Sequence, residues 1–162
     1  MRLKLGAAAI VGGLLMAWQG GFSGAARPID EIRMAAVEHK EIVRGALRVA
    51  AVRCIQKMTD NESPGFIDDM TGEIYSSVVD AKGFAGDGRL TNAAIDEVKA
   101  KTLPKLMKRL QTLEVAPGSA LERRLERSLK VMQSSGMDFF NCAARGARED
   151  LARRGLVGQA KS

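Results

Sequence analysis

PIDEIRMAAVEHKEIVRGALRVAAVRCIQKM, residues 28–58, decides the fold class, because its apolar residues recur at steps of three and four. That spacing places them on one face of an α-helix. Pro28 or Asp30 is suited to begin the helix. The charged residues between the apolar positions fall on the solvated side. The apolar face consists of Ile32, Ala36, His39, Val43, Leu47, Ala50, Cys54 and Met58.

Two further segments continue the helical period downstream. One opens at Ser63–Pro64, where Ser is a good N-cap and Pro fits the first helical position, and it ends at the glycine-rich run 83–88. The next starts at Thr91. Pro104 predicts a kink or a break within it near Leu103, because proline lacks the N–H that the helix needs.

The last segment has the clearest start signal. Residues 119–122 (SALE) form a capping box, a long apolar stripe follows, and Gly155 is suited to end the helix. Aromatic residues make up only 4% of the chain, which disfavours a β-sandwich, while 46% apolar and 27% charged residues suit a globular protein. We therefore predict an all-α fold, a bundle of four or five helices.

The N-terminus has the layout of a secretory signal peptide. Arg2 and Lys4 precede the uncharged run LGAAAIVGGLLMAW at 5–18, and small residues occupy 23–26. We predict cleavage after Ala26, which divides the chain into a signal peptide (1–26), one helical domain (27–155) and a flexible tail (156–162). The alternative is an uncleaved membrane anchor, since a spanning helix needs about 20 apolar residues. No second such run follows, so we predict no membrane span in the mature chain.

The two cysteines, Cys54 and Cys142, both lie in the mature region. In an oxidising compartment such a pair predicts a disulfide, with two buried thiols as the alternative. A plain up-and-down bundle of four helices would put these residues at opposite ends. Either the disulfide is therefore absent, or the chain reverses once more. Pro104 is the preferred point of reversal, and a break at 134–136 is the alternative.

No pattern in the sequence indicates catalysis, a metal site or a cofactor. Residues 87–91 resemble the middle of an EF-hand loop but lack its decisive carboxylates. His39, the single histidine, lies on the apolar face of the first helix and is interpreted as a core residue. Asp69 and Glu73 share a helix face and are interpreted as part of a solvated acidic patch with Asp68.

Arginines are concentrated in the last segment, but Glu122 and Glu126 are interleaved with them, as on a solvated helix surface. We predict no nucleic-acid binding. The remaining interpretation is contact with an acidic partner or with anionic surfaces of the envelope. The candidate partner-binding residues are Arg123, Arg124, Arg127, Phe84 and Phe140.

The general plan resembles small, exported, disulfide-linked helical proteins of Gram-negative envelopes, among them periplasmic immunity and inhibitor proteins, although no motif identifies one of them. We expect a periplasmic or secreted, non-catalytic protein that binds a protein partner as an inhibitor, immunity or assembly factor. The alternatives are a carrier of a small apolar ligand between helices and a membrane-anchored structural protein of the envelope. A third class is an enzyme that uses Asp/Glu pairs brought together by folding.

Overall fold

The computed structural model describes residues 27–86 and 92–158. These residues form five α-helices and no strand, so the predicted all-α class is confirmed. The predicted signal peptide and the EF-hand-like run 87–91 lie outside the described residues. The helices are α1 (Pro28–Met58), α2 (Gly65–Ser77), α3 (Asn92–Thr112), α4 (Ala120–Ser134) and α5 (Gly136–Arg153), with a 3-10 turn at Val78–Asp80.

Helix α1 begins and ends at the predicted residues. Pro28 occupies the first turn, and the Asp30 carboxylate accepts a hydrogen bond of 2.9 Å from the backbone N–H of Arg27. The helix contains one irregularity, because His39 has non-helical angles of φ −128° and ψ 42°. This kink divides α1 into an N-terminal arm, residues 28–38, and a C-terminal arm, residues 40–58.

The prediction that Ser63 caps α2 is wrong. The helix begins at Gly65 with Pro64 as its N-cap, and the Ser63 hydroxyl instead hydrogen-bonds the Asp68 carboxylate. The Ser63 N–H donates to Thr59 Oγ1 at 3.2 Å. These bonds tie the loop between α1 and α2 together, and the side chain of Ser63 is used there rather than at the helix end.

The predicted break at Pro104 is also wrong, since α3 continues through it to Thr112. Both Pro104 and Ala100, whose carbonyl loses its helical partner, are exposed. Water can therefore satisfy that carbonyl, so a proline on the solvated side of a helix is tolerated.

The break in the last helical segment lies at Ser135, within 134–136, the alternative to Pro104 that the sequence offered. Helix α4 ends at Ser134, and α5 begins at Gly136. The start of α4 confirms the predicted cap in part: the Ser119 hydroxyl accepts from the Glu122 N–H at 3.2 Å, but the Glu122 carboxylate reaches the N–H of Gly118.

Helix α1 is the centre of the fold and packs against α2 on one side and α5 on the other. The predicted disulfide Cys54–Cys142 is present, with a Cα–Cα distance of 6.1 Å. One turn further along α5, a Cβ on Gly146 would lie 3.1 Å from that of Ala50. Because the residue number rises in α5 as it falls in α1, these two helices are antiparallel.

The core lies between these helices and is closed by aromatic residues of α2 and α5. The rings of Tyr75 and Phe139 are 5.1 Å apart, and both side chains are buried. Among the residues described, none of the helices is both long enough and apolar enough to cross a membrane.

The first residues of the predicted tail, 156–158, lie against the rest of the domain. Leu156 and Val157 are half-buried and pack against the core, and the carbonyl of Gly158 accepts from Arg148 Nη2 at 3.0 Å. Residues 159–162 lie beyond the described part.

Candidate functional site

The three candidate arginines lie at the start of α4, on the surface, and each has a partner within the chain. Arg124 Nε donates to the carbonyl of Glu62 at 2.8 Å, and Arg127 pairs with the Glu62 carboxylate. Arg123 Nη1 donates to the carbonyl of Gly118 at 2.8 Å. Two of the three thus attach α4 to the α1–α2 loop. Their contact with an acidic partner stays a prediction.

Phe84 does not join these arginines in an exposed patch. Phe84 is 0% exposed, so it presents no surface to a partner in this structure. Its loop is held on α1 by Arg33, whose Nε and Nη2 donate to the carbonyls of Phe84 and Gly83 at 3.0 Å each. The side chain of Phe140 lies outside the described part of the molecule.

The acidic residues of α2 bind neighbouring helices. Asp68 accepts from Ser63 and from Gln56, while Glu73 pairs with Arg109 of α3 at 3.3 Å. Across the described ranges, no three His, Cys, Asp or Glu side chains are grouped as a metal site requires. The arrangement of these carboxylates is explained by packing.

The pair formed by Asp80 and Arg44 has the clearest electrostatic effect. Arg44 donates to both carboxylate oxygens of Asp80, at 2.5 and 2.9 Å, and Lys40 Nζ lies 3.1 Å away. The hydrogen bond from Arg44 lowers the pKa of Asp80, and the same bond raises the pKa of Arg44. The pair fastens the 3-10 turn after α2 to α1.

Large apolar side chains are exposed along α1. Met34 and Val37 on the N-terminal arm are 54% and 58% exposed, and Ile42 and Val49 follow on the C-terminal arm. In the sequence these four residues lie off the buried stripe. An apolar residue at a position where the helical period predicts exposure to solvent is the sequence signal for such an apolar surface. The sequence analysis did not use this signal.

Met34 and Val37 line a groove of about 520 Å³, here called the N-terminal groove. Leu156 and Val157 form its other wall. His39 lies at its edge with its side chain partly exposed, and Nε2 is 3.9 Å from the Glu38 carboxylate. An apolar groove at a protein surface is suited to receive an apolar side chain of another molecule.

Comparison with known proteins yields no relative: no family model, no curated protein and no solved structure matches this chain. The function is therefore argued from the side chains and surfaces described above.

Proposed function

We propose that this chain is an exported, non-catalytic protein of the bacterial envelope that acts by binding a protein partner. The observation that carries the proposal is the exposure of Met34 and Val37 in the N-terminal groove, beside the half-buried Leu156 and Val157. Contiguous apolar surface on a small protein is a common mark of an interaction site, because its contact with water is unfavourable until a partner covers it.

Export is supported by two independent features of the chain. Residues 1–26 have the charge and hydrophobicity pattern of a signal peptide. Cys54 and Cys142 form a disulfide, a bond that persists in oxidising compartments and is rare in the reducing cytosol. Both features favour the periplasm or the extracellular space.

A carrier of a small apolar ligand is the second candidate. It is favoured by the volume of the N-terminal groove, about 520 Å³, which falls within the range of small-molecule sites. The groove lies at the protein surface rather than between the core helices, where Met70 and Met132 are buried. A protein partner accounts better for such an open position.

The test is photo-cross-linking in the source bacterium. A benzophenone amino acid replaces Val37 in the groove or, as a control, Lys130, which is exposed on α4. We expect one protein to be captured from position 37 and not from position 130. The purified partner should then bind the Val37→Glu variant at least tenfold more weakly than the wild type. Equal capture from both positions, or none from position 37, would overturn the proposal.

A further inference from the structure

A second groove runs along the opposite arm of α1, between α1 and α5, and is called the α1–α5 groove. It has a volume of about 300 Å³. Its floor is made of small residues, among them Ala46, Ala50 and Gly146, together with the disulfide. Because small residues keep the two helices close together, the floor is shallow and its walls are made by longer side chains.

The walls are rich in cations. Arg53 and Lys57 extend from α1, while Arg145 and Arg153 extend from α5. Two carboxylates, Glu149 and Asp150, also line the groove, towards the end away from the disulfide. The antiparallel register set by Cys54–Cys142 brings Arg53, Lys57 and Arg145 to the disulfide end of the groove.

Ion pairing differs between the two ends of the groove. Within residues 27–86 and 92–158, no ion pair forms at Arg53, Lys57 or Arg145. Arg145 Nε contacts only the backbone carbonyl of Asn141, at 3.4 Å. By contrast, Asp150 at the other end is already paired with Arg153. The positive charge at the disulfide end is thus available to an anionic partner.

The α1–α5 groove also has an exposed apolar side chain in its wall, and its length can be read from the helix segments that line it. Val49 is 50% exposed at its wall. Each wall covers twelve residues of helix, 46–57 and 142–153, or roughly 17 Å at 1.5 Å per residue. Two neighbouring helices with a small-residue floor form the cleft into which a third helix packs, and about three turns would fill it.

We propose that the α1–α5 groove binds an acidic amphipathic helix of the protein partner, with apolar side chains over Val49 and the floor and carboxylates on Arg53, Lys57 and Arg145. The inference rests on the proposed function and names the chemistry of the partner. It differs from the sequence-based assignment of the acidic contact to Arg123, Arg124 and Arg127, which are engaged with Glu62 and Gly118.

The test uses the disulfide-bonded protein labelled with ¹⁵N and two synthetic helical peptides. Both peptides have leucine on one face; the other face carries glutamate in one peptide and lysine in the other. We expect the glutamate peptide to shift amide signals in 46–57 and 142–153 and to bind at least tenfold more tightly than the lysine peptide. The variant Arg53→Glu/Arg145→Glu should lose tenfold in affinity, whereas Lys108→Glu/Lys130→Glu, with the same charge change elsewhere, should stay within twofold.

Three results would overturn the inference. They are equal affinity for the two peptides, equal effects of the two double variants, and shifts centred on 123–127 instead of the groove. If one of these occurs while Val37 still captures a partner, the proposed function stands and only the acidic-helix inference fails. If Val37 captures nothing while the peptides bind as expected, the proposed function is overturned, and the affinity of the α1–α5 groove for an acidic helix is what remains.

Discussion

Cys54 in α1 and Cys142 in α5 are joined across an antiparallel pair of helices, with their Cα atoms 6.1 Å apart. The two residues are 88 positions apart in sequence, so the bond encloses more than half of the chain. It also lies in the floor of the α1–α5 groove. The disulfide thus has two structural consequences. It reduces the conformational freedom of the unfolded chain, and it holds together the two helices that form the groove.

Replacing both cysteines with serine should lower the free energy of unfolding by up to about 4 kcal/mol, since a loop of this length loses much conformational entropy in the unfolded state. Urea denaturation under oxidising conditions measures the change. The wild type in reducing buffer is the matched control and should match the double variant. Unchanged stability in both would show that the bond contributes nothing to the fold.

Tyr75 gives a direct optical test of burial. Its ring is 1% exposed, and its hydroxyl has no hydrogen-bond partner among the described residues. Burial raises the pKa of Tyr75 well above its ordinary value of 10.0. The stability of the fold is therefore unaffected by this group below pH 10 and falls as the pH rises above it, because tyrosine ionises more readily in the unfolded state. Because Tyr75 is the single tyrosine, absorbance at 295 nm should change only when the protein unfolds.

Tyr75→Phe removes the unpaired hydroxyl and leaves the ring against Phe139. We expect the variant to be as stable as the wild type or more stable by about 1 kcal/mol, because a buried polar group without a partner is destabilising. Thermal and urea unfolding measure this change. A loss above 1 kcal/mol would mean that the hydroxyl has a hydrogen bond in solution.

Two glycines form a matched pair of helix substitutions. A Cβ on Gly45 would meet nothing within 4 Å, whereas one on Gly146 would lie 3.1 Å from Ala50. Gly45→Ala should therefore stabilise the protein by about 1 kcal/mol through helix propensity. Gly146→Leu should destabilise it by about 2–3 kcal/mol, because α5 must move away from α1. Similar effects at both positions would contradict the close packing of these helices.

The Arg44–Asp80 pair predicts a pH dependence. Since the hydrogen bond from Arg44 lowers the pKa of Asp80 in the fold, its contribution to stability is complete above the unfolded value, near pH 3.8. It is lost as the pH falls through the lower folded pKa. The stability difference between wild type and Asp80→Asn should thus shrink between pH 6 and pH 2. Glu114→Gln, at an exposed residue outside the helices, is the control and should show no such trend.

Local signals predicted the parts of the fold that depend on local chemistry. Proline at the first turn and the regular spacing of apolar residues predicted α1, and Ser119 predicted the start of α4. Both signals were reliable because helix caps and helical periodicity depend on residues only a few positions apart. Tertiary context decided the rest. Water on the exposed side allows α3 to continue through Pro104, and no side-chain cap marks the start of α5 at Gly136.

The candidate site was harder to predict, because an ion pair depends on residues that are distant in sequence. Arg124 and Arg127 are three residues apart, but their partner Glu62 lies more than 60 positions away. The same holds for Phe84, whose burial depends on Arg33 holding its loop. Arg53 and Arg145 form no ion pair within the described residues, and they line the same groove only because α1 and α5 pack together.

Native mass spectrometry of the protein released from the periplasm, before and after reduction, tests the central claim most directly. The account predicts the mass of residues 27–162, a gain of two hydrogens on reduction, and a second species whose added mass is that of a protein. A full-length mass recovered only from membranes, or free thiols before reduction, would contradict the export of a disulfide-bonded protein. A small-molecule adduct without a protein complex would contradict partner binding and favour a carrier.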